Sequence, residues 1–333
     1  MKFLKIDGFV AAMLGAVVLG LLFPQYGVRD GILHLDIVTQ IGIALVFFLH
    51  GANLSPHAIK AGAANWRLHL FVHAATFILF PAIGIAVFFG TQGILPPDVR
   101  LGFFYLCALP STISSSVAMT ALGKGNVPGA VFDATLSGLI GMVITPLLVS
   151  MVAHTATGGQ LDVLSAIRDV ALTLLLPFVA GQVFRPLLKD FIARHKSWIT
   201  RADRTVILLI VYAAFSESTL AKIWTNYNPL VIVGILAMVS ALLAVVLTAT
   251  RFAARIFNFP REDEVAAVFC GSKKSLANGA PIAAVLFAGH PGMGMIMLPI
   301  MLYHQLQLIV CSLLARRYAD AAEREERSNQ GTS

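Results

Sequence analysis

Long apolar stretches separated by short polar segments dominate this chain. A helix that crosses a membrane needs about 20 largely apolar residues, because the hydrocarbon layer is about 30 Å thick. The pattern predicts an all-α integral membrane protein with a polar tail over residues 315–333. It predicts ten membrane-spanning helices, over residues 9–24, 35–50, 68–90, 100–121, 127–153, 169–186, 204–222, 228–250, 264–288 and 292–314.

Two of these stretches, the fourth and the ninth, are interrupted by helix breakers and hydroxyl groups. The first interruption begins at Pro110 and the second contains Gly271. Irregular backbone at membrane depth is tolerated only where it is buried in protein or lines a cavity. Two interruptions in corresponding halves are typical of the binding site of a secondary transporter. The predicted substrate- or ion-binding residues are Ser111, Ser114, Ser115, Ser116, Ser272, Lys273, Lys274, Ser275 and Asn278.

Each interruption also has a simpler interpretation. Pro110 alone would kink a helix, and the serines that follow would then bond the helix's own carbonyl groups. Lys273 and Lys274 would extend to the membrane surface if the ninth span began after them. The apolar run from Val265 to Cys270 disfavours that second interpretation, since a span starting at Ser275 would be too short.

The two halves of the chain also match at a constant offset of 161 residues. Ser111 and Ser114 fall on Ser272 and Ser275, and Pro110 falls on Gly271. The offset predicts two repeats of five spans, residues 1–161 and 162–314. Since five is odd, the second repeat would be inverted relative to the first, as in several transporter folds.

Composition and charge agree with a membrane location. The chain is 57% hydrophobic and 12% charged, with a formal net charge of +7. Most Lys and Arg residues lie in alternate short loops and thus satisfy the positive-inside rule with both termini in the cytoplasm. This distribution predicts a multi-pass protein of the bacterial inner (plasma) membrane in contact with the lipid bilayer, and it gives no reason to expect nucleic-acid binding.

Other reactive residues add little chemistry. Cys107, Cys270 and Cys311 lie in apolar stretches, so we expect no disulfide and no metal site. Asp133 and Glu217 are candidate proton carriers or charge partners of the lysines, although each is close enough to a predicted helix end to be solvated instead. No catalytic motif is present, and we therefore predict neither an enzyme nor a cofactor.

Several motifs resemble the bile acid:sodium symporter family (solute carrier family 10 type). They are Phe47-Phe48-Leu49-His50-Gly51-Ala52, Trp66-Arg67-Leu68-His69-Leu70, Val268-Phe269-Cys270-Gly271-Ser272-Lys273-Lys274-Ser275-Leu276-Ala277 and His304-Gln305-Leu306-Gln307. The chain is most similar to the divergent branch of bacterial sodium-dependent transporters that resembles the seventh human member. The resemblance implies ten spans in two inverted repeats, with spans 1, 2, 6 and 7 as a panel, the others as a core, and spans 4 and 9 unwound where they cross.

The resemblance also locates the family's sodium ligands, most of which are replaced here. A Ser-Asn pair of the fourth span corresponds to Ser115 and Ser116, and two hydroxyl ligands of the fifth span correspond to Ala130 and Ala134. In the ninth span the family's acid corresponds to Phe269 and its two amides to Lys273 and Lys274, while its glycine is kept as Gly271. A lysine ammonium can take the place of a sodium ion among the oxygens of a broken helix.

Two functions remain open at this point. The first is a secondary active transporter of an organic solute. The positive charges of Lys273 and Lys274 predict an anionic solute, the resemblance implies that it is bile-acid- or sterol-like, and Na⁺ and H⁺ are the candidate coupling ions. Loss of sodium ligands favours coupling to protons or no coupling. The second is a non-transporting membrane regulator of ion homeostasis that keeps the fold with degraded ion sites.

Overall fold

The computed structural model describes residues 8–28, 31–54, 62–156, 163–225 and 230–330, most of which are helical. No strand occurs among these residues. The helices are α1 (Gly8–Leu22), α2 (Leu35–Asn53), α3 (Trp66–Gly90), α4 (Pro97–Ala108), α5 (Ser114–Leu122), α6 (Val127–Ala156), α7 (Val163–Val170, Ala171–Leu175 and Leu176–Arg194 in succession), α8 (Lys196–Leu220), α9 (Leu230–Ile256), α10 (Arg261–Ser272), α11 (Leu276–Leu286) and α12 (Met293–Gln330).

Six of the described helices are long and apolar enough to cross a membrane, judged by length and composition: α2, α3, α6, α7, α9 and α12. Helix α1 is apolar but has only 15 residues. The chain is therefore an all-helical, multi-pass membrane protein. Helix α12 continues past Arg316 as far as Gln330, so most of the predicted tail extends this helix.

The fourth and ninth predicted spans each consist of two helices. Helix α4 ends at Ala108 and α5 begins at Ser114, because Pro110 lacks the N–H that a continuous helix would need. Helix α10 ends at Ser272, after which Lys273 is extended (φ −99°, ψ 150°). The Ser275 hydroxyl then accepts a hydrogen bond from the Asn278 N–H and caps α11.

Helices α1, α2, α7 and α8 pack against one another, and α3–α6 and α9–α12 pack around the two breaks. The contact between α2 and α7 depends on glycine. A Cβ atom added at Gly51 would overlap the carbonyl oxygen of Phe178, and one added at Gly181 would overlap that of Phe48. The two helix backbones therefore touch directly, as at the small-residue interfaces common in membrane proteins.

This contact predicts that substituting Gly51 lowers the stability of the protein, whereas substituting Gly15 does not. We expect Gly51→Val to lower the free energy of unfolding by about 3 kcal/mol or to prevent folding, because α2 would be forced away from α7. The measurement is the melting temperature and the gel-filtration profile in detergent. Gly15→Ala is the control, since nothing lies within 4 Å of a Cβ at that position. Equal behaviour of the two variants would contradict the direct contact.

Candidate functional site

The two helix breaks meet and hydrogen-bond to each other. The Ser275 N–H donates to the Pro110 carbonyl oxygen at 2.9 Å. The Ser111 hydroxyl donates to the Cys270 carbonyl oxygen at 2.6 Å, and the Ser116 hydroxyl reaches that of Phe269 at 3.2 Å. Residues from the two predicted interruptions therefore form one buried polar centre, which we call the crossing.

Lys274 holds the crossing together through its ammonium group. Its Nζ atom donates to the carbonyl oxygens of Thr76 (3.0 Å), Cys107 (2.8 Å) and Leu109 (2.6 Å). Nζ also lies 4.0 Å from the centre of the Phe80 ring, in cation–π geometry. Two of these carbonyls lie at the end of α4, where the last carbonyl groups of a helix have no partner inside it and carry partial negative charge. The ammonium therefore occupies the position that a bound cation would take.

Lys273 is held in a similar way by α5, the second half of the same broken span. Its Nζ atom donates to the Ser115 carbonyl oxygen at 2.7 Å and lies 5.6 Å from the centre of the Phe269 ring. Both lysine side chains are fully buried, at 0% exposure. Their charges are therefore directed at backbone carbonyls and not at a solvent-filled space.

The remaining predicted site residues have structural partners or lie apart. The Ser272 hydroxyl bonds the Val268 carbonyl of its own helix at 2.6 Å. The Ser115 hydroxyl lies 3.2 Å from that of Thr112, and Ser114 is exposed at the start of α5. Asn278 is buried next to the break. The crossing thus brings together Ser111, Ser116, Ser275 and both lysines, with the other four residues beside it.

Three polar residues at the crossing were not among the predicted site residues. The Gln307 side chain accepts from the Lys274 N–H at 2.9 Å and donates to the Lys274 carbonyl at 2.8 Å, so it replaces the helical partners that the extended backbone lacks. The Tyr303 hydroxyl donates to the Ser272 carbonyl at 2.7 Å. Thr76 contributes a carbonyl from a π-helical turn of α3, over Ala75–Leu79. Only Gln307, a polar residue in an apolar stretch, carried a signal in the sequence.

Asp133 lies beside two histidines instead of a lysine. One carboxylate oxygen, Oδ1, is 2.8 Å from Nδ1 of His69 and 3.9 Å from Nε2 of His73. Asp133 is fully buried, and its Oδ2 atom and both ring nitrogens of His73 have no hydrogen-bond partner among the described residues. His69 is also buried.

The hydrogen bonds of His69 fix how many protons this pair holds. Its Nε2 atom lies 2.9 Å from the Gly62 carbonyl oxygen, which can only accept, so Nε2 carries a hydrogen. The contact between Nδ1 and Asp133 then also needs one, carried either by the imidazolium or by the carboxylic acid. Asp133 and His69 therefore share a proton, and His73 stands nearby as a second group that can bind one.

A cavity of about 640 Å³ lies between the α1/α2/α7/α8 group and α11. Its lining includes the apolar Ile43, Ile210 and Val285 and the acidic side chains of Asp36, Asp169 and Glu217. No Lys or Arg lines it within the part of the chain that the structure describes. The structure therefore separates Glu217 from Asp133 and from the lysines of the crossing. The cavity borders α11 from Ala284 onward, about 12 Å along the helix axis from the break.

Comparison with known proteins identifies relatives over nearly the whole chain. The model of the SBF-like CPA transporter family (DUF4137) matches residues 7–320. An uncharacterized protein of Pseudomonas aeruginosa is 45% identical over 94% of this chain and 93% of its own length. The Escherichia coli K12 protein named "Putative symporter YfeH" is 42% identical over 100% and 99%, and the mouse protein named "Sodium/bile acid cotransporter 7" is 29% identical over 92% and 91%. The resemblance seen in the sequence motifs is thus confirmed.

The contacts of Lys274 predict a specific chemical rescue. We expect Lys274→Ala to be less stable than the original protein by about 2 kcal/mol, because three buried carbonyls lose their donor. Propylammonium contains the atoms that the substitution removes, so it should raise the melting temperature of this variant but not that of the original protein.

Tetramethylammonium at equal ionic strength serves as the control cation, since it has no N–H to donate. Lys189→Ala, at an exposed position, serves as the control variant. If Lys274→Ala melted like the original protein in every salt, the ammonium would not be the group that satisfies these carbonyls.

Proposed function

Because the chain belongs to the SBF-like CPA transporter family, we propose that it is a secondary transporter that moves a small organic solute across the bacterial inner membrane. The observation that carries the proposal is the crossing of two broken helices around the Lys274 ammonium. Irregular backbone buried at this depth is the usual setting of a transport site, because helix ends there present partial charges. The relatives named as symporter and cotransporter support transport over the alternative of a non-transporting regulator.

The proposed mechanism is alternating access between two helix groups. In this proposal the chain has ten spans in two inverted repeats, residues 1–161 and 162–314, both termini are cytoplasmic, and α4/α5 and α10/α11 are the broken spans. Helices α1, α2, α7 and α8 form a panel, and the remaining helices form the core that moves against it. The 640 Å³ cavity supports this division, since α2, α7 and α8 line one side of it and α11 lines the other.

We infer the charge of the solute from the residues that line that cavity. The prediction of an anion was based on the positive charges of Lys273 and Lys274, which bind carbonyl oxygens and are buried. The cavity instead contains Asp36, Asp169 and Glu217, and a cleft lined by one sign of charge repels ligands of that sign. We therefore propose that the solute is neutral or positively charged.

The proposed coupling ion is the proton, bound by Asp133, His69 and His73. Asp133 lies on α6 between Ala130 and Ala134, the positions where the family's hydroxyl ligands for sodium are missing. Imidazole groups bind and release protons near neutral pH, which the methyl groups of Ala130 and Ala134 cannot do. Cys270, near Asp133, and Asp263, near His69, are further titratable groups beside this cluster, and both lie on α10.

This coupling predicts a distinctive defect in Asp133→Asn. In proteoliposomes, a proton gradient directed inward (acidic outside) should drive accumulation of a solute by the original protein and not by the variant. The variant should still exchange internal for external solute when no gradient is applied. Taurocholate, as a bile acid, and tetraethylammonium, as an organic cation, are the first labelled probes. We expect uptake of tetraethylammonium to exceed that of taurocholate, given the acidic cavity.

Asp190→Asn is the matched control, because it removes an exposed carboxylate outside the cluster. Uptake that required sodium at every pH tested would refute proton coupling. Normal gradient-driven accumulation by Asp133→Asn would refute the role of this cluster while leaving transport itself intact. Uptake of taurocholate in preference to tetraethylammonium would refute the proposed solute charge.

A further inference from the structure

A second concave region lies on the other side of the core, between α9 and α12. It is a groove of about 550 Å³ lined along its length by apolar side chains such as Phe252, Val310 and Leu313. Three arginines, Arg251, Arg255 and Arg317, line the same groove. The groove is thus apolar along its length with a cluster of guanidinium groups, and it lies on helices that are both long and apolar enough to span the bilayer.

The apolar residues of the groove face outward. Phe252 is 66% exposed and Leu313 is 55% exposed. On a membrane-spanning surface such side chains contact lipid acyl chains. Helix α9 has a mean hydropathy of 3.1 in its most apolar window, and Arg251 and Arg255 lie in its last two turns. The guanidinium groups are therefore placed where an apolar helix emerges toward the lipid headgroups.

A partly buried acid, Glu264, and a tyrosine, Tyr318, contact two of the arginines. The Nε atom of Arg251 lies 3.7 Å from one oxygen of Glu264, and Nε of Arg255 lies 3.6 Å from the other. The Tyr318 hydroxyl donates to the same carboxylate at 2.8 Å, and its ring lies 5.6 Å from the Arg251 guanidinium carbon. The arginines are therefore ordered before any ligand arrives, which lowers the entropy cost of binding.

The charges of this cluster do not cancel. Three arginines line the groove, and the single Glu264 carboxylate pairs with two of them, so positive charge is in excess there. Arg251 and Arg255 keep 46% and 59% of their side-chain surface exposed, so an incoming anion can reach them. Guanidinium groups bind phosphate through paired hydrogen bonds, and basic pockets between membrane helices bind anionic headgroups.

From these observations we infer that the groove between α9 and α12 is a binding site for an anionic phospholipid. The phosphate binds the guanidinium groups of Arg251, Arg255 and Arg317, and an acyl chain lies along the apolar residues of the groove. The inference is independent of which solute the protein transports. It assigns a function to a surface that takes no part in the crossing or in the acidic cavity.

Native mass spectrometry and melting temperatures of the full chain in detergent test the inference. Phosphatidylglycerol and cardiolipin should be retained and should raise the melting temperature, whereas phosphatidylcholine with the same acyl chains should not. We expect the triple variant R251Q/R255Q/R317Q to bind phosphatidylglycerol at least about ten-fold more weakly. The triple variant R194Q/K196Q/R201Q is the control, because it removes the same charge from exposed positions elsewhere and should bind normally.

Several outcomes would overturn the site. Equal retention of phosphatidylglycerol by both triple variants would show that the arginines do not select it. If phosphatidylcholine raised the melting temperature as much as phosphatidylglycerol, the headgroup would not be recognised. If glycerol phosphate raised it as much, the site would bind the anion without any contribution from the acyl chains. If R251Q/R255Q/R317Q fails to fold, Arg317→Gln alone leaves the Glu264 ion pairs intact and should still bind the lipid several-fold more weakly; unchanged binding would again refute the site.

Discussion

The structure depends on one constraint, which is that the carbonyl groups freed where two helices break must find donors far from water. An unsatisfied carbonyl buried in this setting costs about 1–3 kcal/mol, and several are released together at the end of α4. Lys274 donates hydrogen bonds to two of these carbonyls, those of Cys107 and Leu109, and to the Thr76 carbonyl of α3. The Thr145 hydroxyl bonds the Ala108 carbonyl between them at 2.7 Å. Without these donors, the breaks could not be buried where they are.

The neighbouring elements are shaped to bring those donors and acceptors together. The π-helical turn of α3 includes the residue whose carbonyl reaches Lys274, and such turns leave carbonyls displaced from the regular helical ladder. Gly141 of α6 admits the ring of Pro110, since a Cβ there would lie 2.6 Å from the proline side chain. Gly279 admits Leu109 in the same way, at 2.8 Å. Small residues on the facing helices thus let the breaks approach each other closely.

The positions of the helices and of both breaks could be predicted from the sequence, but the direction of the side chains could not. Hydropathy and span length are local properties, and Pro110 and Gly271 mark the interruptions in the sequence itself. Whether Lys273 faces a cavity or a carbonyl depends on helices distant in the sequence, and here it faces the Ser115 carbonyl. The pairing of His69 with Asp133, 64 residues apart, depends on the packing of α3 against α6 in the same way. No spacing rule reveals such partners in a single sequence.

A cation that is covalently attached to the protein has a consequence for energy coupling. A sodium ion bound at a helix break can leave with the solute, and its gradient can therefore drive transport. The Lys274 ammonium also binds carbonyl oxygens at a helix break but cannot dissociate from the protein. It therefore stabilises the break, and no ion gradient can drive transport through it. If transport is coupled at all, the mobile charge must bind elsewhere. The proton shared by His69 and Asp133 meets that requirement, because it lies in the same helix core and can be released without dismantling the crossing. In the proposed mechanism, this separation of the fixed from the mobile charge would let the fold keep its broken helices while using a coupling ion other than sodium.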